Sequence, residues 1–261
     1  MHYHYHALTD TGLVRQNNED VALHDEALGL ALLADGMGGY SAGEVAAGIA
    51  TTFVHEEFGR WLAGPGRKAS LRDIRHTMQE CTARANLAIL AAAEERPECA
   101  GMGTTLVFGM FREDRVLMGH IGDSRCYRWR GGVLAPITRD HSVLQERLDA
   151  GLIDPEEAAT APYRNLVTRA LGFPGGGELE VADHTVEPGD IFLLCSDGLT
   201  DMLPDEAIEV LLGADLPMSG RAASLVEAAN AAGGRDNVTV LLVQAEGESP
   251  KRGAVARWLE I

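Results

Sequence analysis

Residues 28–39 read LGLALLADGMGG, an apolar run that ends in Asp35 and a glycine-rich turn. A short apolar run that is bounded by turn residues predicts a buried β-strand, so Asp35 stands where a strand leaves the core. Further acidic segments also adjoin apolar, strand-like runs far away in the chain. They are Asn18-Glu19-Asp20, Ser196-Asp197-Gly198 and Arg235-Asp236-Asn237.

A sheet fold could bring these carboxylates into one cleft although more than two hundred residues separate the outermost of them. Like-charged groups do not gather in a cleft without a cation, because burying even one unpaired carboxylate costs several kcal/mol. The four segments together therefore predict a carboxylate-lined site for hard divalent metal ions. A lone Asp-Gly pair is more often an ordinary turn, but here Asp-Gly occurs at both 35–36 and 197–198.

Helix and strand patterns surround these segments. His2, His4 and His6 alternate with tyrosines, which indicates a first β-strand more simply than a metal-binding tract. Ser41 and Glu44 have capping-box spacing, so a helix is predicted from there to Leu62. A second, amphipathic helix is predicted from Ser70 to Glu95.

The chain then changes to strands. Thr104–Phe111, Val116–Ile121, Arg125–Trp129 and Val133–Ile137 are predicted to form an antiparallel meander. After a polar insertion, Glu178–Val186 and Ile191–Ser196 are predicted to form a hairpin in which Ile191–Cys195 is a central strand. Two more helices, at about Pro204–Leu212 and Ser219–Ala232, precede a last strand, Val238–Ala245.

Paired helices before and after a block of strands predict an α+β fold, a four-layer αββα sandwich of two antiparallel sheets with helix pairs outside. We expect one catalytic domain over residues 1–246. Residues 142–171 would form a flap with two short helices, Val143–Ala150 and Pro155–Ala161. Residues 247–261 would form a polar C-terminal tail, either a docking peptide or a frayed end.

Composition narrows the class of protein. The 261 residues include 22 Lys and Arg against 39 Asp and Glu, and the net charge of −17 argues against nucleic acid or an anionic membrane as partner. The four cysteines form no CxxC pair and are interpreted as reduced, mostly buried thiols. The N-terminus has no basic region followed by an apolar stretch, so a cytoplasmic protein is expected.

In their order and surroundings these motifs resemble the metal-dependent protein serine/threonine phosphatases, the type-2C family, and especially its compact bacterial members. The resemblance runs from about Thr9 to Val243. The matching stretches are residues 11–20 (TGLVRQNNED), 35–39 (DGMGG), 101–105 (GMGTT), 119–125 (GHIGDSR), 138–142 (TRDHS), 196–198 (SDG) and 236–237 (DN).

The resemblance implies that Asp35 bridges two Mg²⁺ or Mn²⁺ ions and that the carbonyl of Gly36 binds one of them. Asp197 and Asp236 are implied to bind the other ion. Two cations roughly 3.5–4 Å apart can lower the pKa of a shared water and hold the resulting hydroxide in line with phosphorus. Hydrolysis of phosphoserine and phosphothreonine in proteins would then be direct, without a phosphoenzyme.

Further roles follow from the same resemblance. Glu19 and Asp20 would orient metal-bound waters. Arg15 would clamp the phosphate, because a guanidinium can donate two hydrogen bonds to phosphoryl oxygens, and the less favoured alternative is a surface salt bridge. Asp123, together with Asp197, would hold a third, weaker metal, and a turn-forming Asp is compatible with that role.

Met37 departs from the pattern, because many eukaryotic relatives carry a histidine there as a candidate general acid. A thioether cannot donate a proton, so the acid stays unassigned, and His141 is a distant candidate that is better interpreted as structural. Gly103-Thr104-Thr105 lacks the Lys and spacing of a nucleotide P-loop and is interpreted as the start of a core strand. Flap residues Arg147, Arg164 and Arg169 are interpreted as solvated charges.

Two alternatives stay open. A catalytically silent relative could use the same fold to bind a phosphoprotein, but loss of metal carboxylates would then be expected and all are present. A two-metal hydrolase of small phosphate esters would have the same cleft chemistry. The expected partners are phosphorylated proteins and a cognate Ser/Thr kinase, and the expected state is a monomer.

Overall fold

The computed structural model describes residues 1–39, 42–154, 157, 161–163 and 165–247. The strands of the described ranges are β1 His2–Asp10, β2 Asp20–Asp25, β3 Leu30–Met37, β4 Gly103–Thr104, β5 Leu106–Arg112, β6 Arg115–Ile121, β7 Arg125–Arg130, β8 Val133–Pro136, β9 Glu180–Thr185, β10 Ile191–Cys195 and β11 Val238–Glu246. The α-helices there are α1 Ala42–Ala63, α2 Leu71–Glu95, α3 Val143–Asp149, α4 Asp197–Thr200, α5 Asp205–Leu212 and α6 Met218–Ala231.

The described strands form two antiparallel sheets. One has the order β1-β11-β10-β7-β8, and the other has the order β2-β3-β5-β6-β9 with the short β4 paired to β3. The apolar strand β10 lies at the centre of the first sheet, as predicted, and all of its residues are buried. The alternating strand β1 is also confirmed, with Tyr3 buried and His2 exposed.

Alternation along the strands produces three separate apolar layers. Leu30, Leu32 and Ala34 of β3 face α1 and α2, whereas Ala31 and Leu33 face the other sheet. In the first sheet, Leu193 and Leu242 face helices α4 to α6, and Phe192 and Leu241 face inward. The fold is therefore the predicted α+β sandwich of four layers, helices on sheet on sheet on helices.

The first helix pair follows the sequence patterns closely. Ser70 caps α2 in a capping box with Asp73, which satisfies backbone N–H groups at the helix start. Ile74, Met78 and Ile89 on the buried face of α2 reach the layer shared with α1. The predicted cap of α1 at Ser41 lies outside the described residues.

Two predicted connections are wrong. β6 and β7 are not neighbours in a meander, because β6 pairs with β5 and β9 while β7 pairs with β8 and β10 in the other sheet. The proposed hairpin of β9 and β10 is likewise split, since β9 pairs with β6. Both short links carry the chain from one sheet to the other. Local turn chemistry favours a hairpin, but pairing is decided by which layer each strand can bury.

The insertion between β8 and β9 contains α3, close to the first helix predicted for it. The second predicted helix falls mostly on residues outside the described ranges. Leu171 N donates to Thr104 O of β4 at 2.8 Å, which joins the insertion to a sheet, and Thr168 N donates to His141 O at 2.8 Å within the insertion. Among the described helices, none is long and apolar enough to cross a membrane.

Candidate active site

The acidic segments meet at one end of the sandwich, as predicted. Asp35 lies near the end of β3, beside the start of β2 at Asp20, and these two residues are register partners. Asp197 lies two residues after the end of β10, and Asp236 lies two residues before the start of β11, which runs antiparallel to β10. The strand directions therefore place all four carboxylates at the same edge.

A cavity of about 230 Å³ opens between them. Most of the predicted site residues line it, namely Arg15, Glu19, Asp35, Gly36, Asp123, Asp197 and Asp236. Asp20 is the exception, because it is buried behind the cavity wall with 7% of its surface exposed. The cavity is also lined by Met37, Thr105 and Asn165.

Asp35 is fixed through its backbone by two threonines. Its N–H donates to Oγ1 of Thr105 at 3.0 Å, and its carbonyl accepts from Thr105 N at 2.9 Å and from Thr104 Oγ1 at 2.9 Å. The hydroxyl of Thr105 also meets that of Ser124 at 2.8 Å. Because the backbone is held on both sides, the Asp35 side chain is left to face the cavity.

Asp20 links the two sheets behind the cavity. Its Oδ2 accepts a hydrogen bond from Oγ of Ser196 at 2.7 Å, and Ser196 Oγ in turn accepts from Thr239 N at 3.0 Å. Ser196 is fully buried next to Asp197, so this contact fixes the end of β10 against the start of β2. Such buried hydroxyl bridges set the position of the neighbouring carboxylate.

Asn237 joins the loop after β1 to the start of β11. Its Nδ2 donates to the carbonyls of Thr11 at 3.0 Å and Asn17 at 2.9 Å, and its Oδ1 accepts from Glu19 N at 2.8 Å. Its own N–H donates to Oδ1 of Asp236 at 2.8 Å. One buried amide thus fixes the loop that carries both Arg15 and Glu19.

Arg15 lies at the mouth of the cavity with 54% of its side chain exposed. It donates through Nη2 to Oδ2 of Asp236 at 2.6 Å, and this hydrogen bond raises the pKa of Arg15. The salt bridge that the sequence suggested is therefore present. Its partner is one of the site carboxylates, so the salt bridge holds the guanidinium beside the predicted metal site.

A second acidic group lies where α4 begins. Asp197 and Asp201 are one helical turn apart, and Asp123 follows β6 close enough for each charge to affect the others. The sequence analysis did not include Asp201 among the site residues, although its four-residue spacing from Asp197 predicts that both lie on the same side of a helical turn. Next to this group, Arg125 binds Asp140 with hydrogen bonds of 2.8, 3.0 and 2.7 Å.

Crowding of carboxylates raises their proton affinity. Burial raises the pKa of Asp20 to about 6, and burial together with the charge of Asp140 raises the pKa of Asp123 to about 6. Burial and the neighbouring Asp20 raise the pKa of Asp35 well above its usual value. Burial and the neighbouring Asp123 do the same for the pKa of Asp197. A cation in the cavity would reverse this repulsion.

The oxygen donors fit divalent metal ions of the Mg²⁺ or Mn²⁺ type. Within the described ranges, Oε1 of Glu19 and Oδ1 of Asp20 are buried and have no hydrogen-bond partner. Burying a carboxylate oxygen without a hydrogen-bond donor destabilises the fold unless a cation or its bound water approaches that oxygen. The set contains carboxylates and a backbone carbonyl rather than thiolates, which is the ligand chemistry of hard ions.

The Asp-Gly glycines serve close backbone packing. A Cβ on Gly36 would lie 2.2 Å from the carbonyl oxygen of Gly43 in α1, and one on Gly198 would lie 1.9 Å from that of Asn237. Neither glycine has a positive φ, so neither is needed for a left-handed backbone conformation. They allow α1 and β11 to approach the two acidic strand ends.

Met37 lies on the cavity wall, whereas His141 contacts the turn that carries Asp123. His141 Nδ1 accepts from Gly122 N at 3.2 Å, its Nε2 meets Glu180 at 3.3 Å, and its ring stacks on His120 with centroids 4.6 Å apart. The side chains of His120, His141 and Glu180 could in principle bind a metal ion. However, both ring nitrogens of His141 already have partners, which supports the structural interpretation.

The described arginines of the flap lie in different environments. Arg147 lies over the ring of Tyr163, 4.2 Å from its centroid, and Arg169 is exposed beside a neighbouring cavity. Arg164 lies outside the described residues. The sequence motifs contain Thr105, Ser124 and Ser196 but do not indicate the role of their hydroxyls, because their hydrogen bonds depend on contacts between distant segments.

Comparisons with known proteins agree with this geometry. The family model described as protein phosphatase 2C matches residues 9–237. The serine/threonine phosphatase stp of Listeria monocytogenes is 36% identical over 239 residues, which are 90% of this chain and 93% of that protein. The crystal structure of the serine/threonine phosphatase PstP/Ppp of Mycobacterium tuberculosis has 38% identity and a TM-score of 0.85, and the match covers 95% of this chain and 100% of that one.

A second solved structure bears on the metal site. It is the catalytic domain of the serine threonine protein phosphatase PstP in complex with 2 manganese ions, with 37% identity, a TM-score of 0.81, and coverage of 94% of this chain and 99% of that one. The extent of the family match, the high coverage of both chains and the shared fold all agree. The chain belongs to the protein phosphatase 2C family.

Proposed function

We propose that this protein is a protein serine/threonine phosphatase that hydrolyses phosphoserine and phosphothreonine with Mn²⁺ or Mg²⁺ as cofactor. The observation that carries the proposal is the cavity in which Asp35, Asp197 and Asp236 converge beneath the guanidinium of Arg15. Family membership and the serine/threonine phosphatases among its relatives support the same activity.

Asp35, Asp197 and Asp236, together with the carbonyl of Gly36, are the residues that would hold two divalent ions. Glu19 and Asp20 would orient water from behind through their unpartnered oxygens. Asp123 and Asp197 would hold a third ion. When bound, the ions supply activation of water and charge neutralisation at the phosphoryl group.

Arg15 would bind the phosphate. Its guanidinium is permanently charged, stands at the cavity mouth and is already held in place through Asp236 and the loop that Asn237 fixes. A planar donor in that position can orient a phosphoryl group for attack on phosphorus along the line of the P–O bond that breaks. Both the attacking water and the leaving alkoxide would then be in reach of the carboxylate cluster.

Protonation of the leaving group is not assigned to Met37, since a thioether carries no acidic proton. His141 is tied to Gly122 and Glu180, and burial followed by the charge of His120 lowers its pKa, so the ring is neutral at physiological pH. Its imidazole therefore serves the turn that carries Asp123 rather than the reacting atoms.

The wider setting is part of the proposal. Residues 1–246 would form the catalytic domain, 142–171 its flap and 247–261 a tail. The enzyme would act as a cytoplasmic monomer that opposes a Ser/Thr kinase on phosphoprotein substrates. All four cysteines lie in the described ranges and are free and buried, which supports a reducing compartment.

The test is phosphate release from a phosphothreonine peptide at neutral pH with Mn²⁺, with a chelator, and with Asp35→Asn or Asp236→Asn. Metal-dependent turnover that either substitution abolishes is expected. A folded, Mn²⁺-binding but inactive protein would instead identify a silent phosphoprotein-binding relative. Turnover of p-nitrophenyl phosphate without turnover of any phosphopeptide would identify a hydrolase of small esters.

A further inference from the structure

A second cavity, of about 540 Å³, opens directly beside the carboxylate cavity. The two share the side chains of Met37, Asn165 and Val167 as a common wall. The volume falls in the range of small-ligand pockets, about 300–1,000 Å³. Anything that occupies this cavity therefore lies next to the reacting phosphate, and we call it the side pocket.

The side pocket is mainly apolar. Its walls include Ile121, Leu166, Ala170, Phe173 and Pro174, and among its described lining residues only Arg169 and Glu178 are charged. Two of the apolar residues are exposed to solvent in the free protein, Leu166 to 56% and Phe173 to 41%. Exposed large apolar side chains that line a concavity next to a reaction centre are typical of a binding surface.

The other neighbour of the carboxylate cavity is chemically different. That space, of about 700 Å³, is lined by Asp123, Asp140, Asp197, Asp201 and Asp205, with Arg125 as its one basic residue among those described. Arg125 is already bound to Asp140. The two sides of the reaction centre therefore favour different groups, cations on one side and apolar groups in the side pocket.

The side pocket is held open by a buried asparagine in α2. Asn86, with 4% of its surface exposed, accepts from Gly172 N at 2.6 Å and donates to the carbonyls of Phe173 at 3.3 Å and Gly176 at 3.1 Å. The Phe173 ring lies against Gly103, where a Cβ would meet its Cε2 at 2.6 Å. Gly103 is the register partner of Met37.

The opposite wall is also fixed. Leu166 O accepts from Val143 N at 2.9 Å, and Val167 forms a β-bridge with Ser142. Backbone hydrogen bonds at both ends of residues 166–171 mean that the pocket exists before any ligand arrives. A preformed pocket avoids the entropic cost of ordering its walls on binding.

We propose that the side pocket binds one apolar side chain of the phosphoprotein substrate, at a position within about three residues of the phosphorylated Ser or Thr. The limit of about three residues follows from the shared wall, which places the pocket next to the phosphate site. An extended chain advances about 3.3–3.6 Å per residue, so only residues near the phosphorylated one can reach the pocket. The inference rests on the proposed function and adds to it a preference for large aliphatic or aromatic neighbours. Phe173 and Leu166 are the residues that set this preference.

The test uses phosphothreonine peptides built on a Gly/Ser background, each with one leucine at a single position from three residues before to three residues after the phosphothreonine. The wild-type enzyme with Mn²⁺ is expected to favour one or two of these positions over the leucine-free peptide by about tenfold in kcat/KM. Phe173→Ser and Leu166→Ser are each expected to reduce that preference to less than twofold.

Three controls separate the outcomes. Leu87→Ser removes a similarly exposed leucine on α2, outside the pocket, and is expected to keep the preference. Hydrolysis of p-nitrophenyl phosphate by Leu87→Ser should match that of the wild type, and thermal melts should show that each variant is folded. Equal turnover of all peptides by the wild type, or a preference that survives both pocket substitutions, would overturn the inference. Absence of turnover of every substrate would contradict the proposed function itself.

Discussion

The guanidinium of Arg15 and the carboxylate of Asp236 meet at 2.6 Å although 221 residues separate them. Arg15 is thus held by a side chain that is also a metal-ligand candidate. Occupation of Asp236 by a cation would weaken this pairing, since the carboxylate charge is then shared, and would leave the guanidinium free to bind phosphate. The contact therefore links the proposed phosphate-binding residue to the proposed metal ligands.

Arg15→Ala is expected to lower kcat/KM for a phosphothreonine peptide by about 10- to 150-fold, from about 1.5–3 kcal/mol for hydrogen bonds to a charged group. Arg15→Lys should recover only part of this loss, because an ammonium cannot donate two parallel hydrogen bonds. Initial-rate kinetics with saturating Mn²⁺ measure both. Unchanged kinetics in Arg15→Ala would mean that Arg15 is only a surface ion pair.

Asp35→Asn is expected to raise the melting temperature of the metal-free protein at pH 7.5 and to abolish stabilisation by Mn²⁺. The reason is that neighbouring carboxylates repel one another in the free cavity, and an amide removes one of the charges. A gain of several degrees corresponds to about 1–2 kcal/mol in a protein of this size. Differential scanning fluorimetry with and without Mn²⁺ gives both values.

The matched control is Asp215→Asn, which removes an exposed carboxylate in the link between α5 and α6. It should leave both the melting temperature and the Mn²⁺ response as in the wild type. If Asp35→Asn lowered the metal-free melting temperature instead, repulsion between the carboxylates would not be what destabilises the metal-free cavity.

Acid stability should depend on His141. The groups that face its ring are His120, Arg169 and Glu180, and burial followed by the charge of His120 lowers its pKa below 6.5. The unfolded chain then binds more protons than the folded protein below pH 6.5, so this group's contribution to stability is complete above that pH and declines as pH falls. The slope from one such group is at most about 1.4 kcal/mol per pH unit.

His141→Gln can still accept from Gly122 and donate to Glu180 but does not titrate. In urea unfolding at pH 7.5 and pH 5.5, the wild type is expected to lose more unfolding free energy on acidification than this variant. An identical loss in the two proteins would assign the acid dependence to other groups.

Asn237→Ala should both destabilise the protein and impair catalysis. The amide has 6% of its surface exposed, and its removal leaves the carbonyls of Thr11 and Asn17 and the N–H of Glu19 without their partner. A cost of about 1–3 kcal/mol is expected from such unsatisfied groups. Because the loop also carries Arg15, which would bind the phosphate of either substrate, KM should rise for both the phosphopeptide and p-nitrophenyl phosphate.

A second variant, Asn237→Asp, separates the loss of the two donors from the loss of the acceptor. It keeps an acceptor for Glu19 but loses both donors and adds a negative charge beside Asp236, so it should be the more damaging change at low Mn²⁺ concentration. Chemical denaturation and steady-state kinetics across a Mn²⁺ titration check this order. If both variants were as stable and active as the wild type, the loop would be held by other contacts.

Local patterns were enough to predict the strands, the two long helices and the convergence of Asp35, Asp197 and Asp236, because each depends on a short stretch of sequence. The sheet assignment of β7 and β10 was not predictable in this way. At the start of β10, residues 187–190 do form the expected turn, with Asp190 N donating to Glu187 O at 3.1 Å. However, Asp190 is buried and binds Arg130 of β7 at 2.6 Å, and this distant partner helps decide the sheet.

The same limit applies to the site. A carboxylate beside a strand can be recognised from the sequence, but the hydroxyl that positions it belongs to a segment elsewhere in the chain. Ser196 binding Asp20 and Thr105 binding Asp35 are contacts across 176 and 70 residues. Their partners become identifiable only when the order of strands in both sheets is known.

Strand β1 pairs with β11 along its whole length, from His2 opposite Glu246 to Asp10 opposite Val238. During synthesis, β1 therefore cannot pair with its neighbour in the first sheet until residues 238–246 have been made. Such long-range closure is slow relative to local folding. The cleft also needs Asp236 and Asn237, which lie just before that last strand, so it can be completed only late in synthesis. A nascent or prematurely terminated chain would contain the other acidic segments but could not form the complete metal site.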